Sequence, residues 1–117
     1  MNVLLLDNTD EALFNTLKDH EDTKVVTGTI QRPRLFPIPD IIIVNFDSIF
    51  GSETKETILI ELSRKLHPHV MIIAVSKQWD DGLKMFANLF GVDECCDIHD
   101  LNIIRTIINI FVASDKL

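Results

Sequence analysis

Five polar side chains stand at or just past the ends of apolar runs, where they could carry chemistry: Asp7, Asn8, Asn45, Asp47 and Ser76. The runs before them are typical of strands in a parallel sheet, and ligands of such sheets gather at the carboxyl ends of the strands. A carboxylate at such an end can act as a nucleophile or hold a hard cation such as Mg²⁺. An amide is a far poorer nucleophile, so Asn45, at the end of an unbroken apolar run, points away from covalent chemistry at that position.

Five strands must position these side chains, and the sequence predicts them at residues 3–6, 24–29, 40–44, 70–75 and 94–98. Helical patterns follow four of the strands. The first is expected to begin at a capping box of Asn8 and Glu11, the second to span about residues 52–66, the third to end before Gly91, and the last to run from Leu101 to Val112. Trp79, in the loop after the fourth strand, is expected to shield the helix that follows.

The connection after the second strand departs from this alternation. Pro33, Pro37 and Pro39 each remove a backbone donor and push the preceding residue out of the α region. The second helix is therefore predicted to be missing or replaced by a proline-rich loop. The remaining alternation predicts an α/β, flavodoxin-like fold, with a doubly wound five-stranded parallel sheet in the order 2-1-3-4-5.

Composition limits the class of protein. The 117 residues, 46% of them hydrophobic, suit one domain spanning residues 1–117. The net charge of −7, without an extended basic cluster, disfavours direct binding to nucleic acid or to an anionic membrane. The two cysteines, Cys95 and Cys96, are neighbours and suit neither a disulfide nor a zinc site, so no metal or cofactor is predicted. The N-terminus does not resemble a signal peptide, and we expect a cytoplasmic protein.

Four segments together resemble the receiver domain of two-component response regulators: NVLLLDN at 2–8, PDIIIVN at 39–45, MIIAVSK at 71–77 and FGVDECCDI at 90–98. They match the strand ends of that family in order and in spacing. The resemblance covers nearly the whole chain except residues 28–38. It implies the receiver-like form of the flavodoxin-like fold and a role in two-component signalling or a phosphorelay.

The same resemblance implies that the phosphorylation site is degenerate. Asp7 and Asn8 match the paired acidic residues that hold Mg²⁺, so one carboxylate remains. Asn45 matches the phosphoacceptor aspartate, Ser76 matches the switch Ser or Thr, and Ile98 stands where the family has a lysine. Phosphoryl transfer to a carboxylate needs a nucleophilic oxygen, a cation held by carboxylates and a positive group on the transferred phosphoryl. The chain is thus expected to be a pseudo-receiver that lacks the phosphoacceptor aspartate.

The main hypothesis is a non-catalytic module, not an enzyme, which acts by protein–protein interaction without conventional aspartyl phosphorylation. Asp47 leaves an alternative open, because it lies two residues past Asn45 and would share its side of the strand if the strand were longer. The chain would then be a phosphoacceptor receiver that uses Asp47 with Mg²⁺ at Asp7. A flavodoxin-like small-ligand binder ranks last, since no Gly-rich phosphate loop follows any strand.

The last helix carries more apolar surface than one contact with a sheet requires. One stripe consists of Leu101, Ile104, Ile108 and Phe111, and another of Ile103, Ile107 and Ile110. A second stripe predicts a second buried contact. Receivers often dimerise through the face of helix four, strand five and helix five, which implies a homodimer; burial in a larger signalling protein would give the same pattern. Either stripe could face the sheet, so the candidate interface residues are Ile103, Ile104, Ile107, Ile108 and Phe111.

Overall fold

The computed structural model describes residues 1–8, 10–20, 23–29, 38–48, 64–65, 68–89 and 91–115. These residues form a five-stranded sheet of β1 (Asn2–Leu6), β2 (Lys24–Gly28), β3 (Ile41–Asn45), β4 (Met71–Ser76) and β5 (Glu94–Asp97). The strand order is β2-β1-β3-β4-β5, and every neighbouring pair is parallel. The predicted flavodoxin-like α/β fold and its strand order are therefore confirmed.

The described ranges contain the complete helices α1 (Glu11–Lys18), α2 (Asp81–Leu89) and α3 (Leu101–Asp115), and a 3-10 turn at Phe46–Ser48. The predicted helix over 52–66 lies outside the described residues except for the helical pair at 64 and 65. Residues 30–37, which hold most of the predicted proline-rich connection, lie outside them as well. No helix in the described ranges is long and apolar enough to cross a membrane.

The start of α1 differs from the predicted capping box. Asp10 is the N-cap, because its side-chain Oδ1 accepts a hydrogen bond from the Leu13 N–H at 3.0 Å. Asn8 was expected in that role. Its amide instead donates to the Asp10 carbonyl at 2.8 Å and accepts from the Asp10 N–H at 3.1 Å, so it closes a local turn before the helix. The predicted Asn8 cap is wrong by two residues.

Successive residues of a strand point to opposite sides of the sheet, so the apolar strands place hydrophobic side chains on both faces. Helices cover both of these faces. One core cluster joins the sheet to α2 and contains Leu4, Leu6, Ile42, Val44, Ile72, Ala74 and Ala87. The other joins the sheet to α1 and α3 and contains Val3, Leu5, Leu13, Leu17, Ile41, Ile43, Ile73, Val75, Ile104 and Ile108. All five residues of β3 are buried, as expected for an apolar strand that is covered on both faces. Asn45, its last residue, is therefore buried as well.

Candidate functional site

The polar residues that the sequence singled out meet at the carboxyl edge of the sheet. β3 and β4 are in register with Asn45 opposite Val75, and β4 and β5 with Ser76 opposite Asp97. The ladder continues one residue further on both sides, since the Asp7 N–H donates to the Gly28 carbonyl at 3.0 Å and the Ile98 N–H donates to the Ser76 carbonyl at 3.0 Å. Backbone hydrogen bonds thus set the relative positions of the strand ends, and the side chains at these ends make different contacts.

Asn45 joins two neighbouring strand ends through its side-chain amide. The side chain is buried; its Nδ2 donates to the carbonyl of Asp7 at 3.1 Å, and its Oδ1 accepts from the N–H of Asp47 at 2.9 Å. An ionised carboxylate could reproduce the second bond but not the first, because it has no donor. It would also bury a negative charge beside a carbonyl oxygen. The geometry at this position therefore fits an amide.

Asp7 makes that bond possible through its backbone. Its φ of 53° lies in the left-handed region, which non-glycine residues adopt at a cost and which Asp tolerates better than most. The chain turns sharply here at the end of β1, and the Asp7 carbonyl then accepts the hydrogen bond from Asn45. Asp7 and Asn45 are brought together as the sequence predicted, but the contact runs through the Asp7 carbonyl.

Asp47 lies in the 3-10 turn, because β3 ends at Asn45. The strand extension that would have placed Asp47 on the same side as Asn45 does not occur. Asp47 instead reaches sideways to β4, where Oδ1 accepts a hydrogen bond from the Ser76 Oγ at 2.6 Å and Oδ2 accepts one from the Lys77 N–H at 3.0 Å. The Ser76 hydroxyl is buried and also accepts from the Gln78 N–H at 3.2 Å. The carboxylate of Asp47 thus holds the end of β4.

Ile98 directly follows β5, which ends at Asp97. Its side chain is fully buried within the cluster that faces α1 and α3. The next residue, His99, lies at the surface with its Nδ1 3.2 Å from Oδ2 of Asp10. This pair links the loop after β5 to the start of α1, a contact between distant segments that no pattern in the sequence indicates.

These residues do not fit a Mg²⁺ site of the receiver kind. In the part of the chain that the structure describes, no three His, Cys, Asp or Glu side chains gather closely enough to hold a metal ion. Asn8 bonds to the backbone of Asp10, and Asn45 is neutral and bonds within the strand ends. Asp47 directs both carboxylate oxygens to donors of β4. Hydrogen bonds within the protein therefore engage the side chains of Asn8, Asn45 and Asp47.

Trp79 links the loop after β4 to β5. Its indole N–H donates to the carbonyl of Cys96 at 2.6 Å, and its ring lies 6.0 Å from the ring of Phe46 at an angle of 40°. Phe46 directly precedes Asp47, so the 3-10 turn contacts the loop after β4 through an aromatic pair as well as through a carboxylate. Trp79 packs against the core cluster that includes Ala87 of α2, and its bond to β5 could not be inferred from its position in the sequence.

The two cysteines provide no reactive thiolate. Burial, together with the nearby carboxylate of Glu94, raises the pKa of the Cys96 thiol to about 11. Burial also raises the pKa of Cys95, which the charge of Lys84 partly offsets. Both thiols are therefore protonated near neutral pH and act as small apolar groups.

The structure distinguishes the two stripes of the last helix. Ile104 and Ile108 are fully buried in the core, so they cannot lie on an interface of the folded chain, and Phe111 packs partly buried against the same cluster. Ile103 and Ile110 are exposed by 51% and 61%. Ile107, between them, is half-buried and packs against the same cluster as Phe111 does. The candidate interface therefore narrows to the outer stripe, which we define as Ile103, Ile107 and Ile110, with Ile103 and Ile110 as its exposed members.

The outer stripe faces away from α1. Oδ1 of Asn109 on α3 lies 2.8 Å from Nε2 of His20, just past the end of α1. At about 3.6 residues per turn, Asn109 and the outer stripe lie on opposite flanks of the buried row. Since α1 contacts β2, at the other end of the sheet, the outer stripe lies on the β5 side.

No protein-family model and no curated protein matches this chain. Solved structures do match it. A Burkholderia pseudomallei protein described as related to pilus assembly aligns with a TM-score of 0.70 at 15% identity, over 97% of this chain and 90% of the other. The Vibrio cholerae chemotaxis protein CheY4 aligns with a TM-score of 0.68 at 14% identity, over 92% of this chain and 95% of the other. The phosphorylated cyanobacterial phytochrome response regulator RcpA aligns with a TM-score of 0.70 at 10% identity, over 97% of this chain and 94% of the other. The chain therefore shares the fold of CheY-like response-regulator receiver domains.

Proposed function

We propose that this chain is a receiver-like signalling module that acts by binding protein, is not an enzyme, and is not switched by conventional aspartyl phosphorylation. The receiver fold of its structural neighbours supports a place in two-component signalling. The observation that carries the proposal is the hydrogen bonding of Asn45. The buried amide of Asn45 donates to the Asp7 carbonyl at the end of β1 and accepts from the N–H of Asp47, which gives it a structural role. Asn45 stands where the resemblance places the phosphoacceptor.

The surroundings of Asn45 support the same conclusion. The position of the receiver lysine is a buried isoleucine, Ile98, which offers no positive charge to a transferred phosphoryl group. Asn8, at the position of a metal-binding acid, is a neutral amide engaged with the backbone of Asp10. Nucleophile, metal ligand and positive charge are thus each replaced by a residue that contributes to the structure.

The protein-binding part of the proposal rests on the outer stripe of α3. An apolar row at the surface is disfavoured by about 25 cal/mol per Å² of exposed apolar area, which burial against a partner would recover. We propose a second copy of this chain as the partner, since isologous dimers are the commonest soluble oligomers. A larger signalling protein that covers the same row is the alternative.

A second candidate function follows from Asp47. Its carboxylate lies next to Ser76, the residue that the resemblance places at the switch position. The carboxylate could accept a phosphoryl group if its hydrogen bonds to β4 were broken. This displaced-acceptor receiver would need Mg²⁺, with Asp7 as a ligand. It differs from the main proposal in one measurable respect, which is covalent labelling of the chain.

Intact-mass spectrometry after incubation with acetyl phosphate and Mg²⁺ tests the proposal. We expect no phospho-adduct on the wild-type chain, and no change in its NMR spectrum on addition of beryllofluoride. Asn45→Asp should also label poorly, because Ile98 and Asn8 remain neutral. A Mg²⁺-dependent adduct that disappears in Asp47→Ala would establish the displaced acceptor instead, and efficient labelling of Asn45→Asp alone would show that the remaining site is competent.

A further inference from the structure

We infer that the carboxylate of Asp47 serves as an internal anion for the end of β4, and that it thereby holds the loop from Lys77 to Asp80 in one conformation. The inference extends the proposed function, since it concerns how the same edge of the sheet is set without phosphorylation. It starts from two donors on β4, the Ser76 hydroxyl at 2.6 Å and the Lys77 N–H at 3.0 Å, which contact the two oxygens of one carboxylate.

The two donors form an anion-binding arrangement. A hydroxyl and a backbone N–H that converge on one point are the groups that proteins use to bind oxyanions. A carboxylate accepts from both at once, and hydrogen bonds to an ionised acceptor are shorter and stronger than those between neutral groups. The Asp47 carboxylate is tethered to β3 only two residues past its end, so it occupies these donors at a high effective concentration. An external anion would have to displace it.

The bonds to Asp47 bear on the whole loop after β4. The Ser76 hydroxyl that donates to Asp47 also accepts from the Gln78 N–H, so it connects the Asp47 carboxylate to the first turn of the loop. The loop then continues to Trp79, which contacts Phe46 on the same 3-10 turn as Asp47 and bonds to the Cys96 carbonyl. Asp80 ends the loop by accepting from the Leu83 N–H at the start of α2. The Asp47 carboxylate is therefore placed to set the conformation that leads into α2.

Amide hydrogen exchange measured by NMR on the full chain tests this inference. In the wild type, the Lys77 N–H should be protected. In Asp47→Ala it should exchange at least about tenfold faster, since it loses a bond to a charged acceptor. The indole N–H resonance of Trp79 should shift in the same variant. Asp47→Asn keeps the size and one acceptor oxygen and should give an intermediate effect, which carries the test if Asp47→Ala does not fold.

Asp97→Ala is the matched control. Asp97 is likewise an acidic residue at a strand end, but its carboxylate accepts a bond from the His99 N–H within its own loop at 2.8 Å, and no described residue of another strand donates to that carboxylate. Its removal should leave Lys77 and Trp79 unchanged. An unprotected Lys77 N–H in the wild type, or unchanged Lys77 and Trp79 in both Asp47 variants, would overturn the inference. Neither result involves a phospho-adduct, so failure of the inference is distinguishable from failure of the proposed function.

Discussion

The carboxylate of Asp47 lies 2.6 Å from the hydroxyl of Ser76, although 29 positions separate the two residues in the chain. Ser76 is fully buried at the end of β4, whereas Asp47 is exposed on the 3-10 turn after β3. The bond therefore spans the boundary between core and solvent. Water still reaches the carboxylate, so its charge is tolerated, while the Ser76 hydroxyl and the Lys77 N–H set its direction.

A double-mutant cycle of Asp47→Ala and Ser76→Ala should show that the two residues are coupled. We expect each single variant to lower the free energy of unfolding and the pair to be less than additive by about 1 kcal/mol, because either change removes the same bond. Urea denaturation monitored by the fluorescence of Trp79, the single tryptophan, provides the measurement. Strictly additive losses would mean that the bond does not contribute in solution.

Asn45→Asp should destabilise the fold. The new side chain cannot donate to the Asp7 carbonyl, and an unmet buried acceptor with a buried charge costs about 1–3 kcal/mol or more. Burial should raise the pKa of the introduced carboxyl group above its value in the unfolded chain. The folded state then binds the proton more tightly, so the stability of the variant relative to the wild type should improve as pH falls and worsen as pH rises. Urea midpoints across acidic pH, compared with those of the wild type, measure both effects. A variant as stable as the wild type at neutral pH would show that Asn45 is not required as a donor.

Paired substitutions should separate the buried and outer rows of α3. Ile104→Ala and Ile108→Ala remove fully buried side chains and should each cost about 2–5 kcal/mol. Ile103→Glu with Ile110→Glu should leave the circular dichroism spectrum intact, because both positions are exposed. If the outer stripe mediates self-association, the second pair should shift sedimentation from dimer to monomer. A wild-type chain that sediments as a monomer at high concentration would rule out the homodimer and leave the outer stripe to another protein.

Alkaline pH should reveal the protonated state of Cys96. Its pKa is raised from 9.0 to about 11 in the folded chain, so the folded state keeps a proton that the unfolded state has lost. The stabilisation by this group is complete below pH 9 and is lost as pH rises from 9 towards 11. Denaturation midpoints at pH 8 and at pH 10.5 should therefore differ more for the wild type than for Cys96→Ala. Equal pH dependence of the denaturation midpoints in the two proteins would contradict a raised pKa of Cys96.

The fold was predictable because its signals are local. The apolar runs that become β1, β3 and β4 are continuous over four residues or more, and the parallel order follows once strands alternate with helices. The positions of Asn45 and Ser76 followed from the same reasoning, since each ends one of these runs. The first helix shows the limit of such patterns. Asn8 and Asp10 are both good capping residues, and the choice between them depends on how the chain leaves β1.

The role of Asp47 could not be predicted, for a related reason. A residue two positions past a strand end points to the same side only if the strand continues, and β3 instead turns at Phe46. The side chain then contacts a strand whose sequence lies far away. The link from Trp79 to the Cys96 carbonyl is of the same kind, since it joins a loop to the backbone of another strand. Such contacts depend on the path of the chain in three dimensions, which hydrophobic periodicity does not encode.

The short strand β5 limits the ways in which two copies of the chain can meet. It forms an edge of the sheet, spans four residues, and carries exposed acidic side chains at both ends, Glu94 and Asp97. Two such edges brought side by side would place carboxylates of like charge next to each other, an arrangement that protects natural sheets against edge-to-edge aggregation. The β5 edge therefore resists pairing with a second sheet, and if two copies associate as proposed, we expect their contacts on this side of the molecule to lie on the helical surface of α3.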